Sequence, residues 1–126
     1  MKRDEHVLSS LGKTWIFDLD GTVVKHNGYK IDGKDTLLEG VCEFFEKIPE
    51  TDMIVFITSR TSDLKEETEG FLLKERIRFD KIIWDAPFGE RILINDRKPS
   101  GLNTALAINT ERDKFMDERF NMNEKI

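Results

Sequence analysis

Residues 14–22 read Thr-Trp-Ile-Phe-Asp-Leu-Asp-Gly-Thr, an apolar run that ends at two aspartates and a glycine. The run predicts a buried strand whose carboxyl end carries Asp18. Side chains two positions apart on an extended chain point the same way, so Asp18 and Asp20 are predicted to share one site while Leu19 turns into the core. Gly21 then allows a sharp turn. Because open parallel sheets bind ligands at the carboxyl ends of their strands, we expect a binding site here.

Other apolar runs alternate with stretches of helical spacing along the chain. The runs are Met53–Ile57 and residues 82–84, 92–94 and 105–108, and the helical patterns occupy residues 37–48 and 63–73. Strands that are apolar throughout favour a parallel sheet with helices on both faces. We therefore predict an α/β fold of three layers with mostly parallel strands. Residues 1–13 are predicted to be a polar lead-in, and residues 113–126 a final helix.

Length and charge limit the function. A chain of 126 residues suits one domain spanning residues 1–126. The net charge of −5 opposes binding to nucleic acid or to an anionic membrane, and no Lys/Arg-rich block is present. An anionic substrate would need a local cation.

The cysteine count and the apolar runs indicate a compartment. Cys42 is the only cysteine, so an internal disulfide and a thiolate-rich metal site are excluded by count. The Met53–Ile57 run is too short to cross a bilayer. We expect a soluble cytoplasmic protein without a membrane partner.

Polar residues follow two more of the predicted strands. Thr58, Ser59 and Arg60 come directly after Met53–Ile57, and Asn95 and Asp96 come after residues 92–94. A hydroxyl and backbone N–H groups can hold phosphoryl oxygens. Two carboxylates roughly 4 Å apart repel by about 4 kcal/mol at an effective dielectric near 20, so acids that face a phosphate need a cation. Mg²⁺ suits oxygen ligands of this kind.

Each of these short motifs is common in turns, caps and loops, and their coincidence at one sheet edge is what carries weight. The strand followed by Asp-x-Asp-Gly-Thr at residues 18–22 resembles the opening motif of the haloacid dehalogenase superfamily, and the resemblance extends through Thr58 to Asp96. It implies a Rossmann-like core and a magnesium-dependent phosphatase. Asp18 would be the nucleophile that forms an aspartyl-phosphate, and Asp20 the general acid that protonates the leaving alcohol and later activates water.

The resemblance also implies a set of ligands. Asp18, the backbone carbonyl of Asp20, and Asp96 would hold Mg²⁺, and Thr58 would bind the transferring phosphoryl group. The other candidates for substrate contacts are Gly21, Thr22, Ser59 and Arg60.

The roles of two cations are open. For Arg60, an exposed ion pair with Asp63 or Glu67 is an equal alternative to substrate binding. The family usually has a lysine or arginine just before its acidic motif, but residues 85–90 contain neither. We expect Lys98 to be the catalytic cation, with Arg91 as the alternative.

The acidic motif also departs from the family's pattern. Asn95 stands where the first of two acids often stands, so it offers a neutral oxygen and we expect weaker metal affinity.

The chain has no room for a large cap domain, since residues 23–36 suffice for a hairpin-like flap at most. Capless relatives tend to act on larger phosphorylated molecules or to borrow a neighbouring subunit as a lid, which implies a phosphorylated sugar, polyol or saccharide intermediate and leaves a homo-oligomer open. Residues 95–101 resemble the matching segment of small phosphatases of bacterial surface-polysaccharide synthesis.

Two other classes of protein compete with an enzyme. A receiver-like signalling domain has similar length and binds magnesium beside a phosphorylated aspartate, but it needs an aspartate at the end of its central strand, where this chain has Thr58. A non-catalytic relative that binds phosphate or metal is motivated by Asn95, whereas the intact Asp18 and Asp20 argue against it.

Overall fold

Residues 4–126, the part of the chain that this computed structural model describes, contain five strands and three α-helices. In chain order they are β1 (Glu5–Leu8), β2 (Thr14–Asp18), α1 (Gly28–Ile31), α2 (Val41–Lys47), β3 (Met53–Ile57), α3 (Lys65–Lys74), β4 (Lys81–Ile83) and β5 (Arg119–Met122). The chain divides into two units. The larger unit contains residues 12–88 and 110–115, and the smaller unit contains residues 4–11, 89–109 and 116–126.

The larger unit is built on a three-stranded parallel sheet in the order β2-β3-β4. Asp18 pairs with Ile57, and Ile57 pairs with Ile83, so the three strands end at the same level. Helix α3 forms the crossover between β3 and β4. The predicted α/β class with parallel strands is therefore confirmed.

One face of this sheet packs against helices, and the other has exposed side chains. Residues paired across a parallel ladder share a face, which places Trp15, Ile54 and Ile82 on one side and Ile16, Val55 and Lys81 on the other. The first face forms the core with residues of α2 and α3: Phe17, Ile54, Phe56, Val41, Phe45 and Leu72. On the second face Ile16, Met53 and Ile83 are 50%, 51% and 44% exposed. A helical layer on that face stays a prediction.

Neighbouring residues explain where α2 begins and ends and where α3 begins. The pattern over residues 37–48 predicts a longer helix than α2, which begins after Gly40, a residue at φ 92°. It ends where Ile48, the residue before Pro49, is extended, as the proline ring requires. A 3₁₀ turn at Ser62–Leu64 leads into α3, so the predicted helix over residues 63–73 is confirmed. No helix within residues 4–126 has the length and apolar character needed to span a bilayer.

The smaller unit contains a pair of parallel strands, β1 and β5, in which Glu5 faces Arg119 and Leu8 faces Met122. The rings of His6 and Phe120 stack with centroids 5.3 Å apart. The prediction of a final helix over residues 113–126 is wrong, since they contain β5 and no helix. The predicted polar lead-in contains β1, which sequence analysis did not predict, and its residues 1–3 lie outside the described part. Each of these short strands needs a partner far away in the chain, and local pattern does not reveal it.

Residues 92–94 and 105–108 form no strand in the described chain, so these two predictions are wrong. Ile92 and Ile94 are 83% and 90% exposed. The residues that follow form a loop closed by its own bonds: Arg97 Nε donates to Asn103 Oδ1 at 2.8 Å, and the N–H of Lys98 donates to the carbonyl of Leu102 at 3.0 Å. An apolar run that has neither a ladder partner nor a cover does not form a strand.

Candidate active site

The carboxyl ends of the three parallel strands bring two predicted site residues to one edge. Asp18 is the last residue of β2 and pairs with Ile57, so Thr58 follows at the same level on the neighbouring strand. The N–H of Thr58 donates to the carbonyl of Ile83 at 2.9 Å, and its side chain is buried. Asp18 and Thr58 therefore come at the carboxyl ends of neighbouring strands, and their predicted roles in one site stay predictions.

The turn after β2 fixes the orientation of Asp18. The carbonyl of Leu19 accepts hydrogen bonds from the N–H groups of Thr22, Val23 and Val24 at 3.3, 3.0 and 3.1 Å. This winding brings the Thr22 hydroxyl back to Asp18, where it donates to Oδ2 at 3.0 Å. Leu19 is buried in the core, as predicted. In this structure the Thr22 hydroxyl therefore binds Asp18, and its predicted contact with substrate stays a prediction.

Gly21 is required in this turn for two reasons. Its φ of 82° is strained for a residue with a side chain. A Cβ at this position would also lie 3.3 Å from Cγ of Arg112. Both the backbone conformation and the lack of space therefore explain the glycine.

A segment distant in sequence supports the same turn. The N–H of Asp113 donates to the carbonyl of Gly21 at 2.8 Å, and the Asp113 carboxylate accepts from the N–H of His26 at 2.7 Å. Phe115 packs against the core cluster beside Phe17. Sequence analysis missed this support, because nothing in the pattern of residues 110–115 links them to a turn about ninety positions away.

Arg60 lies at the centre of a buried polar cluster, which we call the Arg60 cluster: Asp20, Tyr29, Asp35, Arg60 and Thr68. Its Nε and Nη2 donate to the two carboxylate oxygens of Asp20 at 3.0 and 2.8 Å. Its Nη1 and Nη2 donate to the two carboxylate oxygens of Asp35 at 3.0 and 2.7 Å. Nη1 also donates to the Thr68 hydroxyl at 2.9 Å. The Tyr29 ring lies 4.2 Å from Cζ.

These bonds use the whole hydrogen-bonding capacity of the guanidinium. Arginine has five N–H donors, and each is matched here by one acceptor. The side chains of Arg60 and Asp35 are 3% and 7% exposed. Burial alone would lower the pKa of Arg60, but the hydrogen bonds and charges of Asp20 and Asp35 outweigh it and raise the pKa above its ordinary value.

The Arg60 cluster changes what is expected of Arg60. The alternative of an exposed ion pair with Asp63 or Glu67 is wrong, since the partners are Asp20 and Asp35 and the site is buried. A contact with substrate would require the guanidinium to leave one of its acceptors. That predicted contact stays a prediction.

The segment between the turn and α2 has the predicted hairpin-like form. Val24 and Leu37 make an antiparallel bridge, and the N–H of Lys25 donates to the carbonyl of Thr36 at 2.9 Å. The segment encloses α1 and carries Tyr29 and Asp35 into the Arg60 cluster. Sequence analysis missed both residues, because nothing in the pattern of residues 23–36 links them to Arg60, which is 25 positions beyond Asp35.

Four other predicted site residues are Ser59, which follows Thr58, and Arg91, Asp96 and Lys98. The hydroxyl of Ser59 donates to the carbonyl of Pro87 at 3.4 Å in an exposed position. Asp96, Lys98 and Arg91 belong to the smaller unit and are exposed. Their predicted roles beside Asp18 stay predictions.

The predicted Mg²⁺ site can be compared with the oxygen atoms that the described residues place near Asp18. Within residues 4–126 no group of three or more His, Cys, Asp or Glu side chains is arranged to hold a metal ion. The side chain of Asp20 is bound to Arg60 through both oxygens, so only its backbone carbonyl fits the implied ligand set. The Asp18 carboxylate is half-buried at the strand end and is the kind of ligand that Mg²⁺ takes.

A groove of about 540 Å³ lies along residues 34–43 and α3, and its lining includes Asp35 but none of Asp18, Asp20 or Thr58. We place the candidate site at the strand ends, because the reactive groups are there.

The fold and site define an α/β protein with paired acids at the carboxyl edge of a parallel sheet. No family model matches the chain, and no curated protein matches it significantly. Two solved structures are similar. A chain of the Pnkp1/Rnl/Hen1 complex is 27% identical over 66% of this chain, with a TM-score of 0.51. A chain of the Pnkp1/Rnl/Hen1 RNA repair complex is 26% identical over 72% of this chain, with a TM-score of 0.51. This protein spans 31% and 30% of the lengths of those chains.

Proposed function

We propose that this protein is a magnesium-dependent phosphatase that hydrolyses a phosphate monoester through an aspartyl-phosphate on Asp18. One observation carries the proposal: Asp18, oriented by the Thr22 hydroxyl, lies at the end of a strand whose neighbour is followed directly by the buried Thr58. A nucleophile and a phosphoryl-binding hydroxyl are needed together for this chemistry. The proposal includes a three-layer fold like that of the haloacid dehalogenase superfamily.

In the first step an oxygen of Asp18 attacks phosphorus, and the bond to the leaving alcohol breaks. Asp20 gives the alcohol its proton, so that no free alkoxide has to form. In the second step Asp20 takes a proton from water, and the water oxygen attacks phosphorus. Inorganic phosphate then leaves, and Asp18 is restored.

The Arg60 cluster contains a second carboxylate that stays with Arg60 while Asp20 acts. Two carboxylates share one guanidinium, so Arg60 is still paired with Asp35 when Asp20 carries a proton in the proposed first step. The charge of Arg60 is therefore not left without a partner inside the protein, which would be costly.

Mg²⁺ would be held by Asp18, the backbone carbonyl of Asp20 and Asp96, and it would offset the negative charge of the phosphoryl group. Lys98 would be the cation beside the nucleophile, with Arg91 as the alternative. The proposed setting is the cytoplasm, and the proposed substrate is a phosphorylated sugar, polyol or saccharide intermediate.

A receiver-like signalling role is less well supported. Such a domain needs its acceptor aspartate at the end of the central strand, and in the larger unit the central strand is β3, which is followed by Thr58. With acetyl phosphate, a receiver would keep its phosphoryl group for minutes, whereas the proposed enzyme would discharge it quickly.

The test of the proposed function is release of inorganic phosphate from an aryl phosphate, with Mg²⁺ and with EDTA. We expect magnesium-dependent turnover by the wild type and a loss of about a thousandfold or more in Asp18→Asn, because the nucleophile is removed. Asp32→Asn is the matched control, since Asp32 makes an exposed ion pair with Lys25 at 2.8 Å outside the site. Turnover in EDTA, or an Asp18→Asn protein as active as the wild type, would contradict the mechanism.

A terminal phosphate on RNA is a second candidate substrate. The likeness to a chain of an RNA repair complex favours it, whereas the net charge of −5 opposes binding to a polyanion. A panel that sets sugar phosphates beside a terminally phosphorylated oligoribonucleotide separates the two. Specific activity at least tenfold higher on the RNA would transfer the proposal to that substrate.

A further inference from the structure

We propose that Asp35 is a positioning residue that acts through Arg60 to hold the carboxylate of Asp20 in its working orientation. The inference rests on the proposed function of Asp20. Asp35 itself lies in the segment before α2, outside the Asp-x-Asp-Gly-Thr motif and outside the strand ends.

The geometry makes Arg60 a rigid link between two carboxylates. The guanidinium is planar, and its Nη2 donates to both acids, at 2.8 Å to Asp20 and 2.7 Å to Asp35. Each acid is also held by a second bond, from Nε or from Nη1. Because both carboxylates are bound through two oxygens, the position of one determines the plane in which the other is held.

Two other contacts restrict the same link. Thr68, at the middle of α3, accepts from Nη1 at 2.9 Å and is buried. Tyr29 covers one face of the guanidinium with its ring 4.2 Å from Cζ. Arg60 is therefore held from α3, from the segment of residues 25–37 and from the turn of Asp20.

Loss of the charge on Asp35 would release this link. The two N–H groups that point to Asp35 would lose their charged acceptor, and the guanidinium would turn toward other oxygens. Asp20, attached through the same plane, would move with it. A displacement of about 1 Å of a group in an active site can lower the rate by roughly a hundredfold.

The expected effect depends on the leaving group. An alkyl phosphate needs a proton from Asp20 as the alcohol leaves, whereas 4-nitrophenyl phosphate has a leaving group stable enough to depart without one. A residue that orients Asp20 will therefore matter more for the alkyl substrate. A residue that only stabilises the fold will affect both substrates equally.

The experiment measures kcat/KM for both substrates in the wild type, Asp35→Asn and the control Asp32→Asn. This quantity covers the steps up to release of the alcohol, whereas kcat also includes hydrolysis of the aspartyl-phosphate, in which Asp20 acts whichever substrate is used. For Asp35→Asn we expect about a tenfold or greater fall in kcat/KM on the alkyl phosphate and a fall of less than about threefold on 4-nitrophenyl phosphate. Asp32→Asn carries the same chemical change on the same segment and leaves the ratio of the two rates unchanged. Circular dichroism and a thermal melt report the folded fraction.

If Asp35→Asn does not fold, Asp35→Glu keeps the charge and lengthens the side chain by one methylene, and the ratio of rates should shift in the same direction. An unchanged ratio in every folded Asp35 variant overturns the inference while the phosphatase stands. A wild type that releases no phosphate from either substrate overturns the proposed function, and this inference with it.

Discussion

Residues 53–60 and residues 92–98 have the same pattern, an apolar run followed by polar and charged residues, yet they differ in structure. The first contains strand β3 with the buried Ile54, followed by Arg60, which is paired with Asp20 and Asp35. The second is exposed, with Ile94 among the most exposed apolar residues of the described chain and Arg97 bonded through Nε to Asn103 of its own loop. The same sequence pattern therefore forms a buried strand in one region and an exposed loop in the other.

The difference comes from the neighbours of each run. Strand β3 has a parallel partner on each side and helices over one face. The two ladders pair its backbone, and the side chains of Ile54, Val55 and Phe56 leave water. The position of the polar residues that follow β3 is determined by the buried strand. The position of residues 95–98 is determined by hydrogen bonds within their own loop.

The largest expected effect is that of removing the buried arginine. Arg60→Ala should lower the free energy of unfolding by about 3–5 kcal/mol, because Asp20 and Asp35 would lose their partner inside the protein. Urea unfolding followed by circular dichroism measures it. Arg97→Ala is the matched control in the exposed region and should change stability by less than about 0.5 kcal/mol. A loss below about 1 kcal/mol for Arg60→Ala would remove the distinction between the two regions.

Truncation of the apolar runs is expected to be next in size. Ile54→Ala deletes a fully buried side chain from the core and should lower the free energy of unfolding by about 2–5 kcal/mol. The same change at Ile94 should have almost no effect, since that side chain is already in water. The pair can be compared in one thermal or urea series. Similar losses at both positions would mean that residues 92–94 are buried in solution.

The smallest expected effect on stability is that of changing Lys98. This change tests whether a residue of the exposed region has a role in catalysis. Lys98→Ala should leave the melting temperature unchanged, because the side chain is exposed. If Lys98 is the cation of the proposed phosphatase, kcat should fall by about a hundredfold or more. Arg91→Ala is the companion variant. A normal rate in Lys98→Ala with a large loss in Arg91→Ala would transfer the role to Arg91.

Much of the larger unit could be predicted from sequence. The runs that became β2, β3 and β4 and the helical spacing of α3 were sufficient, and the Asp-Gly pair located the turn after Asp18. Each of these depends on neighbours in sequence, such as the alternation of strand and helix or the conformational freedom of Gly21.

The parts that could not be predicted depend on contacts between distant residues. Asp35 and Arg60 are 25 positions apart, and neither residue type reveals that it will be buried with the other. The support of Gly21 by Asp113 is of the same kind, as is the pairing of β1 with β5. For residues 92–94 the sequence predicts a strand that the structure does not contain. Their apolar composition is typical of a strand, but it does not show whether a partner strand is available.

The pairing of β1 with β5 has a consequence for synthesis of the protein. His6 and Glu118, whose side chains are 3.2 Å apart, are 112 positions apart in the chain. Since the ribosome adds residues in order, β1 leaves the exit tunnel long before β5 exists, and its backbone donors and acceptors must remain in water until then. At about 5–20 residues per second, that wait is on the order of ten seconds. A chaperone that shields exposed strand edges would have its opportunity during this interval.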